Sequence, residues 1–167
     1  MGTLTAYIAL GSNLGDSRRI LEAAIARLQA FSRAPIRRSA RYATAPVDCP
    51  PGSPTFLNAA VALEPLAGET PESLLPKLQA LEGEFGRLPK KVVNEARPLD
   101  LDLVAFGSER RNSPQLTLPH PRAHRRRFVL QPLHDLDPDL VLPGQTQTVS
   151  ALLKSLPPET PACVRAG

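Results

Sequence analysis

Two aspartates separated by one residue are the most informative feature of the sequence. Asp100 and Asp102 stand in the segment 97–103, which reads RPLDLDL. In a strand, side chains two residues apart project from the same face and lie ~6–7 Å apart along the chain. Two such carboxylates repel each other unless a cation intervenes, and Mg²⁺ often binds one or two carboxylates together with substrate phosphates. The pair predicts a magnesium seat, although on this pattern alone the solvated face of an edge strand is the commoner alternative.

Cationic side chains stand on both sides of this pair. Arg97 precedes it, and the segment 120–128, which reads HPRAHRRRF, follows within twenty-five residues. Arginine and a metal ion can share the charge of a polyphosphate, so the combination indicates a site for a polyanion. By itself the basic segment also fits a solvated face or a nucleic-acid patch. The glycines at 11 and 15 lack both P-loop and dinucleotide-binding spacing, and they predict at most a tight turn near a ligand.

Length and composition bound the class of protein. The chain has 167 residues, of which 42% are hydrophobic, and this fits a single domain over 1–167 with one core. No apolar run approaches the ~20 residues of a membrane span, and the N-terminus does not resemble a secretory signal. Cys49 and Cys163 lie far apart without metal-ligand spacing, which favours incidental thiols over a disulfide. We therefore expect a cytoplasmic protein.

Hydrophobic periodicity predicts the elements that would position these residues. Asp16 is a plausible N-cap for the first helix. The second helix has an ambiguous start, since a start at Pro71 would place Pro76 in the helix interior at a cost of ~3 kcal/mol; we therefore expect it to begin at Ser73. Pro132 argues for a short or broken third helix. The predicted strands are 5–10, 35–43 with Arg37 and Arg41 on its exposed face, 57–63, 99–106 and 115–118; the predicted helices are 17–31, 73–85, 126–135 and one short helix in the tail 147–167.

Five ordered motifs give the chain a family resemblance. They are AYIALGSNLGD at 6–16, FLNAAV at 56–61, LE with GR at 81–87, RPLDLD at 97–102, and PHPR with RRFVL at 119–130. Together they resemble the 6-hydroxymethyl-7,8-dihydropterin pyrophosphokinases of folate biosynthesis, over residues 6 to about 143. The resemblance implies an α+β fold, a ferredoxin-like α/β sandwich around a mainly antiparallel sheet. It also implies transfer of pyrophosphate from ATP to the pterin hydroxyl, with AMP as the second product.

The same resemblance implies roles for individual residues. Asp100 and Asp102 match the aspartates that hold two Mg²⁺ ions, and Arg87 and Arg97 match catalytic positions. The positions that match ATP contacts are Gln79, Glu82, Arg87, Arg97, Leu103, Thr117, His120 and Arg126. The positions that match the pterin pocket are Gly11, Thr44, Ala45, Val47, Phe56, Asn58 and Phe128, with the two aromatic rings enclosing the pterin and Asn58 reading its edge.

Some positions depart from the family pattern. The loop 88–96 lacks the aromatic residue that is usual in the family, so the resemblance does not predict whether this loop closes over the substrates. Lys90 and Lys91 can replace the phosphate contacts that are lost. Ala45 stands where the family commonly has proline. The alternative function is a nucleic-acid-binding α/β module that uses Arg122–Arg127, but the chain has only two Tyr and five Phe and no Trp for base stacking. We expect a monomer with ATP and the pterin as its partners and no nucleic acid or membrane.

Overall fold

A computed structural model of the protein describes residues 3–44, 55–86 and 98–166. These residues form strands and helices in mixed order. The strands are β1 (Ala6–Ser12), β2 (Arg37–Arg38), β3 (Arg41–Thr44), β4 (Phe56–Leu63), β5 (Asp100–Phe106), β6 (Arg111–Asn112), β7 (Thr117–Leu118) and β8 (Cys163–Ala166). The helices are α1 (Ser17–Leu28), α2 (Pro71–Glu84), α3 (Arg127–Leu136) and α4 (Val149–Ser155).

One antiparallel sheet forms the centre of the fold. Its strand order is β5-β1-β4-β3-β8, and β2 pairs with β4 beside β3. The strands β6 and β7 form a separate small hairpin. The predicted α+β sandwich with a mainly antiparallel sheet is confirmed, and β5, which carries the aspartates, lies at one edge.

The sheet separates two apolar layers. Ile8 and Leu10 of β1 are buried with leucines of α1 and α2, whereas Tyr7 and Ala9 face α3 and α4. This alternation along one strand follows from the two-residue period of a β-strand. Each fully buried leucine contributes roughly 1.5–3 kcal/mol, so both layers stabilise the sheet. In the described part of the chain, no helix has the length and apolarity to cross a bilayer.

The first helix follows its prediction. The Asp16 carboxylate accepts a hydrogen bond from Arg19 N at 3.3 Å and caps α1. The α-helix ends at Leu28 and continues as one 3-10 turn to Phe31, which accounts for the predicted span to residue 31.

The start predicted for the second helix is wrong, because α2 begins at Pro71. Thr70 and Ser73 form a capping box: Ser73 N donates to Thr70 Oγ1 at 3.1 Å, and Thr70 N donates to Ser73 Oγ at 2.8 Å. Pro71 occupies the first helical position, where its missing amide costs nothing. The capping hydrogen bonds and the proline at the first position stabilise the N-terminus of α2. They offset the backbone hydrogen bond that is lost at Pro76 inside the helix. Pro132 lies inside α3 in the same way without breaking it.

Two further expectations need correction. The predicted strand 35–43 is divided into β2 and β3, because Ser39 turns both its amide and its hydroxyl toward Ala60. Arg41 is not on an exposed face, since its side chain is 14% exposed and pairs with Glu22 at 2.8 Å.

The C-terminal tail contains more structure than the sequence indicated. The predicted short helix is present as α4, but the strand β8 that follows it was missed. Cys163, in β8, is a free thiol, and burial raises its pKa to about 11. Cys49 lies outside the described residues, so the assignment of both thiols as incidental stays a prediction.

Candidate active site

The two aspartates project from one face of β5. Asp100 and Asp102 are half-buried, whereas Leu99, Leu101 and Leu103 are buried in the core on the other side. The alternation predicted for this strand is therefore confirmed. Because Leu103 has its side chain in the core, only its backbone groups are placed to contact a nucleotide.

Strand register aligns the aspartates with the residues predicted to bind the pterin. Asp100 pairs with Gly11, Gly11 pairs with Asn58, and Asn58 pairs with Tyr42, so all four lie in one row across the sheet. Directly paired residues share a face. Neighbouring strands lie ~4.8 Å apart, which places Asn58 about 10 Å from Asp100 on the same face. The carboxylate pair and the proposed heterocycle pocket thus belong to one surface.

The Asn58 end of this surface is polar and closely packed. The Asn58 amide is buried, and its Nδ2 donates to Thr44 Oγ1 at 2.8 Å. A Cβ atom added at Gly11 would lie 3.2 Å from Asn58 Oδ1 and 3.9 Å from Phe56 Cδ1. The absence of a side chain at Gly11 therefore allows the Asn58 amide and the Phe56 ring to approach the backbone of β1 closely. Thr44 pairs with Phe56 in the adjacent row, so all these residues lie on one face.

His120 is held at the other end of the surface by its backbone. Its amide donates to the Val104 carbonyl at 2.9 Å, where a register shift interrupts the pairing of β5 with β1. Arg122 N donates to His120 Nδ1 at 3.2 Å, which assigns the ring proton to Nε2. Burial lowers the pKa of His120, and the charges of Arg126 and Arg122 lower it further, while Asp100 acts in the opposite sense. The imidazole is therefore predominantly neutral at pH 7.

Arg126 lies between the two carboxylates and the aromatic ring of Phe128. It stands immediately before α3, and its guanidinium carbon lies 5.3 Å from the centre of the Phe128 ring. Burial and the charge of Arg122 lower the pKa of Arg126, whereas Asp102 and Asp100 raise it. This coupling shows that Arg126 and both aspartates lie within electrostatic range of each other. Phe128 packs against the apolar layer of α3, on the same side of the sheet as Phe56 and Asn58.

Glu82 has a different environment from the other candidates for ATP binding. Its carboxylate is buried, and Oε2 accepts a hydrogen bond from Leu101 N at 2.8 Å. The helix α2 packs on the sheet face opposite to Asp100 and Asp102. Gln79 is exposed on that helix, and Thr117 is exposed at the start of β7. The structure therefore does not bring Gln79 or Thr117 into the row that contains the aspartates.

The remaining predicted residues lie outside the described ranges. They are Arg87 and Arg97 among the catalytic and ATP-binding positions, Ala45 and Val47 in the pterin pocket, and the loop 88–96 with Lys90 and Lys91.

The chemistry of the donor set fits Mg²⁺. Within residues 3–44, 55–86 and 98–166, no group of three or more His, Cys, Asp or Glu side chains is arranged to enclose a metal ion. Asp100 and Asp102 thus supply only part of a coordination shell, and they supply hard oxygen ligands. Mg²⁺ commonly binds in this way and completes its octahedron with water and substrate phosphate oxygens.

Asp137 and Asp135 make contacts that the sequence analysis missed. Tyr7 Oη donates to Asp137 Oδ2 at 2.5 Å, and Arg37 donates to both Asp137 oxygens at 2.9 and 3.2 Å. Tyr42 Oη donates to Asp135 at 2.8 Å. The partners are 93 or more residues apart in the sequence, so no local pattern predicts these contacts. The contacts attach the end of α3 to the sheet.

Comparison with known proteins supports a single interpretation. The family model described as 7,8-dihydro-6-hydroxymethylpterin-pyrophosphokinase (HPPK) matches residues 7–138. A relative from Haemophilus influenzae, named 2-amino-4-hydroxy-6-hydroxymethyldihydropteridine pyrophosphokinase, is 38% identical over 90% of this chain and 92% of its own length. A relative of the same name from Pseudomonas aeruginosa is 42% identical over 82% and 83%.

Solved structures share the fold. The wild-type HPPK-DHPS of Plasmodium falciparum superimposes with a TM-score of 0.68 at 14% identity, over 92% of this chain. An HPPK-DHPS in complex with substrates gives a TM-score of 0.72 at 13% identity, over 93% of this chain. This chain spans 41% and 43% of those two longer chains, respectively.

The fold and the site together define a class. A mainly antiparallel α/β sandwich that presents two carboxylates beside an arginine and a neutral histidine is suited to transfer of a phosphate-containing group. The match over 7–138 and the relatives at 38% and 42% identity specify the class further, and the chain belongs to the family of 7,8-dihydro-6-hydroxymethylpterin pyrophosphokinases.

Proposed function

We propose that this pyrophosphokinase transfers the terminal pyrophosphoryl group of ATP to the hydroxyl of 6-hydroxymethyl-7,8-dihydropterin, in folate biosynthesis. The products are the pterin diphosphate and AMP. The observation that carries the proposal is the row Asp100–Gly11–Asn58, because the carboxylates proposed to bind metal and the amide proposed to bind the pterin lie on one sheet face.

Asp100 and Asp102 would hold two Mg²⁺ ions between the chain and the phosphates of ATP. When bound, Mg²⁺ neutralises phosphate charge and orients the attacking and leaving oxygens. The chain's own contribution is to fix both carboxylates on one face of a paired strand.

Arg126 and His120 would bind the phosphates beside the aspartates. Arg126 can donate two parallel hydrogen bonds to phosphate oxygens, and its contact with the Phe128 ring restricts the orientation of its side chain. The neutral His120 can donate from Nε2, because Nδ1 already accepts from Arg122 N. Arg87 and Arg97 are proposed to add further positive charge at this end.

The pterin would bind between Phe56 and Phe128, above Gly11. Asn58 would read the edge of the ring by hydrogen bonds, with its amide oriented by Thr44. A flat heterocycle gains affinity from aromatic faces and specificity from a few fixed polar groups. Ala45 and Val47 are proposed to complete this pocket.

The transfer step needs positioning more than proton abstraction. The pterin hydroxyl oxygen attacks the β-phosphorus in line, and a new O–P bond forms while the bond from the β-phosphorus to the bridging oxygen of AMP breaks. The hydroxyl proton passes to solvent, and the AMP oxygen keeps the bonding electron pair. Alignment of this kind can contribute about 7–11 kcal/mol. We assign no residue as a strong general base, and we propose that the enzyme acts as a cytoplasmic monomer.

One assay tests the reaction. Purified protein is incubated with MgATP and 6-hydroxymethyl-7,8-dihydropterin, and the nucleotide products are separated by chromatography. AMP should form in equal amount to the pterin diphosphate, and neither should form without the pterin. Formation of ADP would indicate ordinary kinase chemistry, and absence of turnover together with salt-sensitive RNA binding by Arg122–Arg127 would favour the nucleic-acid alternative.

A further inference from the structure

Glu82 contacts the strand that carries the aspartates at the residue between them. The strand β5 is the edge of the sheet, so β1 binds only one of its sides. Gly11 and Ala9 of β1 pair with Asp100 and Asp102. On the other side of β5, Leu101 N donates to Glu82 Oε2 at 2.8 Å, and both residues are buried. The backbone around both aspartates is thus held from two directions.

The hydrogen bond between Leu101 N and Glu82 stabilises the edge strand β5. A buried amide without a partner destabilises the folded state, and a carboxylate acceptor forms a shorter and stronger bond with an amide than a neutral acceptor does. An edge strand without such a partner opens locally more easily than a central strand. A rotation of β5 at Leu101 would move Asp100 and Asp102 together, because they flank it directly.

We propose that Glu82 is a positioning residue that fixes the distance and direction of the Asp100–Asp102 pair through the Leu101 amide. The proposal rests on the proposed function of the two aspartates as magnesium ligands. It assigns the Glu82 carboxylate to the strand, in place of the direct nucleotide contact that the sequence resemblance implies. Removal of a residue that orients metal ligands without binding the metal itself commonly lowers metal affinity 10- to 100-fold.

Two variants at position 82 separate the hydrogen bond from the side-chain volume. Glu82→Gln keeps an oxygen acceptor at the same chain length, and Glu82→Leu fills similar space without an acceptor. Leu78→Val is the matched control, because Leu78 is buried in the same helix and this change weakens its packing without touching the Leu101 amide.

The first measurement is hydrogen exchange of the Leu101 amide by NMR, without nucleotide or metal. The amide should be protected in the wild type, in Glu82→Gln and in Leu78→Val, and it should exchange at least about tenfold faster in Glu82→Leu. Equal protection in the wild type and Glu82→Leu would overturn the proposal.

The second measurement is Mg²⁺ affinity by calorimetry in the presence of a non-hydrolysable ATP analogue. Affinity should fall about 10- to 100-fold in Glu82→Leu and change less than about threefold in Glu82→Gln and Leu78→Val. Unchanged Mg²⁺ affinity in Glu82→Leu, or a loss of nucleotide affinity in Glu82→Gln with the Leu101 amide still protected, would overturn it. Neither measurement needs turnover, so a wild type that binds Mg²⁺ but releases no AMP would contradict the proposed function alone.

Discussion

Gly11 and Asn58 are paired across β1 and β4, and the Asn58 amide oxygen lies where a methyl group at Gly11 would come within 3.2 Å of it. This approach is closer than ordinary van der Waals contact, and Asn58 has little room to move because its Nδ2 is bonded to Thr44. The glycine therefore sets the floor of the proposed pterin pocket.

Replacement of this glycine should weaken pterin binding selectively. In Gly11→Ala the added methyl displaces the Asn58 amide, and we expect the KM for the pterin to rise at least about tenfold while the KM for ATP changes less than about twofold. Gly83→Ala is the matched control, because no atom lies within 4 Å of a Cβ there and the helix α2 should gain up to ~1 kcal/mol. An unchanged pterin KM in Gly11→Ala would place the ring elsewhere.

The contact between Thr44 and Asn58 gives a second prediction about the same pocket. Thr44→Val keeps the shape of the side chain and removes the acceptor, so the buried Asn58 amide loses a partner at a cost of roughly 1–3 kcal/mol. The pterin KM should rise about 5- to 100-fold, and Thr44→Ser, which keeps the hydroxyl, should restore it to within about threefold. If valine and serine behave alike, the hydroxyl does not orient the amide.

Removal of either site carboxylate should reduce turnover strongly without unfolding the protein. In Asp100→Asn and Asp102→Asn the side-chain volume is kept but the charge proposed to bind Mg²⁺ is lost, so kcat should fall by about 10²–10⁴. The melting temperature should stay within a few degrees of the wild type, because both side chains lie on the half-buried face. Asp139→Asn, at an exposed position, is the control and should keep full activity.

The two tyrosines give a prediction about the attachment of α3. Burial, followed by the hydrogen bond to an aspartate, raises the pKa of Tyr7 and of Tyr42 to about 12. The chain contains two tyrosines and no tryptophan, so phenolate absorbance reports on these residues alone. The folded protein should show a tyrosine titration midpoint near 12, and the urea-unfolded protein should show one near 10.

This shift also determines how stability depends on alkaline pH. Between about pH 10 and 12 the unfolded state loses phenol protons that the folded state retains. The contribution of the two tyrosines to the free energy of unfolding should therefore be complete below pH 10 and should be lost as the pH rises toward 12. The double variant Tyr7→Phe/Tyr42→Phe should lose the tyrosine part of this dependence and keep the smaller part that comes from the raised pKa of Cys163. Identical alkaline profiles for it and the wild type would contradict the assignment.

Local patterns predicted the parts of the fold that local energies decide. The alternation of Asp100, Leu101 and Asp102 and the cap at Asp16 depend on neighbours within a few residues, and both were predicted correctly. The predicted start of α2 was wrong because the capping box of Thr70 and Ser73 offsets the cost of Pro76 inside the helix.

Long-range contacts could not be predicted from the sequence in the same way. The strand β8 forms because β3 offers it an edge, and its four residues CVRA carry no strong strand signal. The environment of Glu82 depends on an amide 19 residues away, and a motif match alone assigned it to the nucleotide. The roles proposed for Asp100, Asn58 and Phe128 come from resemblance and stay predictions, and register across three strands shows that Asp100 and Asn58 lie on one sheet face.

The most direct test of the account is a count of divalent ions held by Asp100 and Asp102 against the nucleotide. Mn²⁺ binding can be followed by electron paramagnetic resonance in the presence of a non-hydrolysable ATP analogue. The wild type should bind two ions per chain, and Asp100→Asn/Asp102→Asn should bind only what the free nucleotide binds. Equal number and affinity of bound ions in the wild type and the double variant would contradict the account.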